Sequence, residues 1–353
     1  MTELDLTSIS RSVTRLRAVI PEDAFTASIL GSERVGNGIV IDSAGLILTI
    51  GYLMTEATDV WLIGPDGREI AAHPLAYDQV TGFGLILPLQ KLDLPPISLG
   101  TSTDLRAGSE VHVLSAKDFA PPQDALVLAR REFAGAWEYL LEEAIFTAPA
   151  HPHWSGAALV DKTGALVGLG SLLVREIIEG EETNANMFVP IDLLTPILHS
   201  LKSTGRADRQ PRPWLGVYAV ELAGRVYVTG VVEGGPAQSA DIREGDVISE
   251  VAQHEVGTLP DFYRRVWAVG PAGIGVPLTT MRGATQIHLN VRSVDRGTLL
   301  KRPQAHQETG SGHRFSAMRP HWPVDLYLKA CCQRCDTIPD ARASPRQRKH
   351  PLP

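Results

Sequence analysis

From residue 24 to residue 190 the chain advances in short apolar stretches punctuated by turns, a rhythm that suits strands and defeats long helices. Gly38-Ile39-Val40-Ile41-Asp42 and Leu46-Ile47-Leu48-Thr49 flank the turn Ser43-Ala44-Gly45, a hairpin signature. Residues 59–63 and 69–73 repeat the pattern around Asp66-Gly67, and 83–87, 111–115, 126–130, 157–160, 166–173 and 187–189 continue it. Asp161-Lys162-Thr163-Gly164 marks a further turn. The segment 136–144 fits a helix and a strand equally. With 32 Gly and 25 Pro in 353 residues the chain has the turn formers for such a plan, and 44% hydrophobic residues are enough to bury real cores.

The rhythm then changes. Leu194, Ile197, Leu198 and Leu201 fall at i, i+3, i+4, i+7, which predicts an amphipathic helix, with Gly205 as its stop. Residues 206–213 are polar, contain two prolines and read as a linker. Residues 214–296 form a second β-rich unit with short helices at 236–242 and 261–269. Periodicity ends near residue 297, and the remainder, rich in Pro, His, Arg and Ser, reads as disordered. The expected organisation is an N-terminal segment (1–20), an all-β barrel or sandwich (21–205), a linker (206–213), a small α+β module (214–296) and a basic tail (297–353).

Charge divides along the same boundary. The formal net charge is −7, but residues 297–353 carry +6 and residues 1–296 carry −13. An acidic body argues against a nucleic-acid partner. Cys331, Cys332 and Cys335 all lie in the tail, so no disulfide braces the body. Cys332 and Cys335 could grip zinc with His313 or His321, but a second well-spaced ligand pair is missing, so neither metal nor cofactor is expected. No stretch approaches the roughly 18–20 apolar residues of a membrane span. Asp5, Arg11, Arg15 and Arg17 interrupt the N-terminus, which removes a signal peptide and gives a cytoplasmic expectation.

Six motifs follow one another across residues 20–296. They are Gly36-Asn37-Gly38 running into the first hairpin; Ala157-Ala158-Leu159-Val160-Asp161 with its turn; Val189-Pro190-Ile191-Asp192-Leu193-Leu194; Pro213-Trp214-Leu215-Gly216-Val217; Gly234-Gly235-Pro236-Ala237; and Arg243-Glu244-Gly245-Asp246-Val247-Ile248. In this order the set resembles the HtrA/Deg family of trypsin-like serine proteases with a C-terminal PDZ domain. The resemblance implies a mainly β chain: a trypsin-like double β-barrel of two six-stranded barrels, then a PDZ domain, with the tail outside it.

Carried residue by residue, the resemblance points to an altered catalytic apparatus. Where the family has its histidine base, after the Ile-Leu-Thr run, this chain has Tyr52. A phenol with an ordinary pKa of about 10 is a poor base near neutral pH. The position of the orienting aspartate holds Gly82. Ser155 keeps the nucleophile position, but His153 replaces the glycine whose N–H helps form the oxyanion hole. Tyr52 is expected to fill the old histidine site and bond to Ser155. His151 and His153 are close to Ser155 in sequence, and a histidine two residues away on an extended segment shares its face, which keeps an unusual base in view.

The PDZ resemblance implies that Leu215-Gly216-Val217 receives the terminal carboxylate of a peptide added as a strand to a sheet edge. Tyr263 and Trp267 are expected beside that groove. Two functions follow. The first is a pseudoprotease that binds polypeptide C-termini or unfolded segments through the groove, in protein quality control. The second is an active or weakly active serine endopeptidase using Ser155 with a non-standard base. Relatives often form trimers, which leaves a homo-oligomer open.

Overall fold

The computed structural model describes residues 4–301 except 65 and 179. Its first barrel has six antiparallel strands, β1 (Val13–Val19), β2 (Glu33–Val40), β3 (Ile47–Ile50), β4 (Asp59–Ile63), β5 (Glu69–Tyr77) and β6 (Phe83–Pro88), closed in the order β1-β2-β3-β6-β5-β4. β1 lies ahead of residue 21, where the sequence pattern places the start of the barrel. Its alternation is real: Leu16 and Ala18 point inward, while Arg15 and Arg17 point outward. Arg17 covers the face of Trp61 and pairs with Glu33, so its charge stays at the surface while its stem packs.

The second barrel repeats the plan with β7 (Glu110–Leu114), β8 (Gln123–Gly135), β9 (Tyr139–Ala148), β10 (Ala158–Val160), β11 (Leu166–Ile178) and β12 (Glu181–Pro190), in the order β10-β11-β12-β9-β8-β7. The ambiguous segment 136–144 is a three-residue turn followed by strand: β8 and β9 pair from Gly135 opposite Tyr139. Glu138, the last turn residue, has φ 61, the left-handed backbone that closes three-residue hairpin loops and usually falls to glycine.

The predicted helix forms at Thr195–Thr204, buries Leu201 and ends at Gly205 with φ 74. The linker lacks regular structure yet is fastened. Arg209 pairs with the buried carboxylate of Asp78, and the Arg212 guanidinium stands 4.1 Å from the centre of the Trp267 ring.

The C-terminal sheet contains β13 (Val217–Leu222), β14 (Arg225–Val231), β15 (Val247–Val251), β16 (His254–Glu255), β17 (Gly275–Arg282) and β18 (Thr285–Arg292), ordered β13-β14-β15-β17-β18 with β16 paired to β15. β13 is an edge of this sheet. Beside it runs the helix Leu259–Ala268, started by Thr258, whose hydroxyl accepts from Asp261 N, and burying Leu259, Phe262, Tyr263 and Val266.

Residues 297–301, read as the start of a loose tail, are seated. Asp295 caps a 3-10 turn at Arg296–Thr298, and Lys301 donates its N–H to Glu56 (3.0 Å) and pairs with Asp23. These contacts use backbone and ammonium groups and leave no hydrophobic pattern to read. Residues 302–353, with Cys331, Cys332, Cys335, His313 and His321, lie outside the described residues.

Candidate functional site

Ser155 stands on the loop that leads into β10, and β2 of the other barrel holds that loop. Asn37, fully buried, donates its Nδ2 to the carbonyls of His153 and Ser155 (2.9 Å each) and its own N–H to Ser155 O (2.9 Å). Its Oδ1 accepts from Ala116 N (2.8 Å). Asn37 thus fixes the serine loop from across the cleft. Nothing in its Gly-Asn-Gly setting announced the role.

Tyr52 is carried by a 3-10 turn, Gly51–Leu53, directly after β3. The buried guanidinium of Arg34 grips that turn through the carbonyls of Tyr52 (2.6 Å) and Thr55 (3.2 Å). The Tyr52 hydroxyl meets Ser155 Oγ at 2.8 Å and donates to the carbonyl of Ser171 at 2.8 Å. A phenol has one proton. With that proton on Ser171 O, Ser155 must be the donor in the other bond. Burial pushes the phenol pKa above its ordinary value, further from any role as a base.

At Gly82 the backbone is left-handed, φ 84, and a Cβ there would come 3.1 Å from the Tyr139 hydroxyl and 3.3 Å from Ile50 Cδ1. The Tyr139 hydroxyl donates to Thr81 O (2.8 Å), and Gly51 N donates to Gly82 O (2.7 Å), so this turn braces the one bearing Tyr52. Asp78 does turn work, accepting from Thr81 N and Oγ1.

Among the described residues no hydrogen bond joins His151 or His153 to Ser155. His151 is buried, its pKa pushed down to about 4 by that burial, and its Nδ1 accepts from His153 N (3.1 Å). The His153 ring stacks on Phe119 at 4.7 Å, and burial lowers its pKa too. Among the described residues no cluster of His, Cys, Asp or Glu could hold a metal ion.

The groove expected to receive a peptide carboxylate lies between β13 and the helix Leu259–Ala268. It is filled by the hairpin turn between β8 and β9. The Glu138 carboxylate accepts from Leu215 N (3.1 Å), Gly216 N (2.7 Å) and Val217 N (3.1 Å). The carbonyl of Ala136 accepts from Ala219 N (3.0 Å), and Tyr263 donates its hydroxyl to Gly135 O (2.7 Å). Leu140 joins the apolar cluster of the C-terminal sheet. Burial outweighs the three N–H bonds and pushes the Glu138 pKa up to about 7. The N–H groups of Leu215, Gly216 and Val217 meet on Glu138, a residue 77–79 positions earlier in the chain, and Tyr263 bonds the same hairpin. Trp267 stacks on Tyr263 at 5.7 Å and takes Arg212 of the linker on its ring.

A model described as trypsin-like peptidase domain matches residues 36–169, and one described as PDZ domain matches residues 213–292. With two closed six-stranded barrels ahead of the C-terminal sheet, the chain is a trypsin-like domain followed by a PDZ domain. It is 24% identical over 253 residues to "Probable periplasmic serine endoprotease DegP-like" of Hahella chejuensis, covering 68% of this chain and 53% of that protein. It is 26% identical over 270 residues to "Protease Do-like 1, chloroplastic" of Arabidopsis thaliana, covering 69% and 60%. The chain spans about half the length of the first of these relatives. Among solved structures, "HtrA-type protease AlgW with tripeptide" shares the fold, with a TM-score of 0.50 at 19% identity over 85% of this chain and 99% of that one. In these matches the chain is similar to HtrA/DegP-like proteases, with a trypsin-like domain followed by a PDZ domain.

Proposed function

We propose that this HtrA/DegP-like chain has lost hydrolysis and works as a peptide- or protein-binding protein through its PDZ groove, taking polypeptide C-termini or unfolded segments. One observation carries the first half: the Ser155 proton points at a phenol oxygen whose own proton is committed to Ser171 O. No step that removes the serine proton starts from there. Loss of the base and its orienting acid typically costs about 10⁴–10⁶ in rate. The His153 N–H, engaged by His151, withdraws one oxyanion donor as well. The groove supports the second half, since its three loop N–H groups already hold a carboxylate.

Fluorophosphonate labelling of the folded protein tests the reading, with Ser155→Ala as control. The expected result is no adduct. An adduct on Ser155 that disappears in the control would show an activated nucleophile and overturn the inactive reading.

A further inference from the structure

We propose that residues 135–138 are a ligand the chain carries for its own PDZ groove, with Glu138 in the place of a partner's terminal carboxylate, so that a chain end enters only by displacing it. This rests on the peptide-groove reading above.

Three features converge. First, three successive backbone N–H groups, of Leu215, Gly216 and Val217, meet on one carboxylate. Second, the hairpin adds to the free edge of β13 as a peptide strand would. Val217 N reaches Glu138, and two residues on Ala219 N reaches the carbonyl of Ala136, two residues back. The first of these bonds is to the Glu138 side chain and the second to backbone, so carboxylate and chain meet the edge at the spacing a peptide end would use. Third, Glu138 is an acidic residue, 7% exposed, at a left-handed position that hairpin geometry offers to glycine. A charged side chain kept buried on such backbone has a specific partner, and the loop is that partner.

The hairpin also outlines what replaces it. Leu140 places its side chain in the apolar cluster with Leu215, Phe262 and Val266. The competing ligand is therefore a polypeptide end with a free carboxylate and a leucine-sized apolar last residue.

The test uses the full chain and a fluorescein-labelled decapeptide ending Ala-Trp-Leu with a free carboxylate. The same peptide with a C-terminal amide is the control. Glu138→Gly removes the internal carboxylate and suits the left-handed turn. Fluorescence anisotropy is expected to show weak binding to wild type, affinity raised about tenfold or more in Glu138→Gly, and no binding of the amide. Independently of any variant, hydrogen exchange on wild-type protein at saturating peptide is expected to lose protection across residues 132–142. Equal affinity for both proteins, or binding without loss of hairpin protection, overturns the internal ligand and leaves the groove reading standing. No binding to either protein, with the variant's hairpin shown to exchange freely, overturns both. Equal binding of the amide overturns the carboxylate exchange.

Discussion

Tyr52→Phe isolates the hydroxyl that closes the cleft. It removes the bond to Ser171 O and the bond from Ser155 Oγ, each 2.8 Å. The two losses differ. Ser155 is only half-buried, so its hydroxyl can turn to water. Ser171 is 5% exposed and lies where the β11–β12 register shifts, between Gly170 and Leu172, so its carbonyl loses a partner inside the protein. A lost hydrogen bond of this kind costs about 1 kcal/mol, and an unsatisfied buried acceptor about 1–3 kcal/mol, giving a total of about 2–4 kcal/mol. For a unit of this size that lowers Tm by roughly 5–10 °C. Calorimetry and urea titration on the two proteins measure it. Labelling by a fluorophosphonate stays absent, because removing the phenol supplies no base. An unchanged Tm would refute the role of Tyr52 as partner to Ser171. An adduct in the variant would refute the argument that Ser155 is inert for want of a base rather than merely tied.

Three further outcomes follow from the same geometry. The double change Tyr52→His with Gly82→Asp restores the family's residue types but not activity: left-handed backbone at residue 82 costs about 1–2 kcal/mol, and the new Cβ crowds the Tyr139 hydroxyl; measurable peptide hydrolysis would contradict this. Asn37→Ala strips the cross-barrel clamp and leaves Ala116 N–H buried, with an expected loss of about 3 kcal/mol or more in urea titration. Burial raises the Glu138 pKa from 4.5 to about 7, against the N–H bonds of Val217, Leu215 and Gly216 and the charge of Arg296. A raised carboxylate contributes fully below about pH 4.5 and loses its contribution as pH rises through 7, on the order of 3 kcal/mol. The stability excess of wild type over Glu138→Gly should shrink between about pH 4.5 and 7 and level off above that, and a growing excess would reverse the assignment.

Most of the fold was legible because it rests on local signals. Alternating burial marked β4 and β5, turn chemistry marked Asp66-Gly67 and Asp161–Gly164, and helical spacing marked Thr195–Thr204. β1 escaped because Arg15 and Arg17 on its outer face read as breaks in an apolar run. The turn 136–138 escaped because Trp137, Tyr139 and Leu140 satisfy either periodicity. At the site, the resemblance points to Tyr52, Gly82 and Ser155 by position and to Leu215-Gly216-Val217 by motif. It gives no role to Glu138, Asn37 or Arg34. Each acts on partners distant in sequence, Glu138 across 77–79 residues and Asn37 across up to 118, and no pattern along a chain encodes which distant backbone a side chain will meet.

Glu138 and Tyr139 are neighbours in sequence, about 3.8 Å apart along the chain, yet they look in opposite directions. One closes the groove, and the other bonds Thr81 O beside Gly82, whose carbonyl in turn receives Gly51 N next to Tyr52. Two adjacent residues of one hairpin are thus the hinge pin between both halves of the chain. One hairpin therefore meets the PDZ loop through one residue and the turn beside Tyr52 through the next.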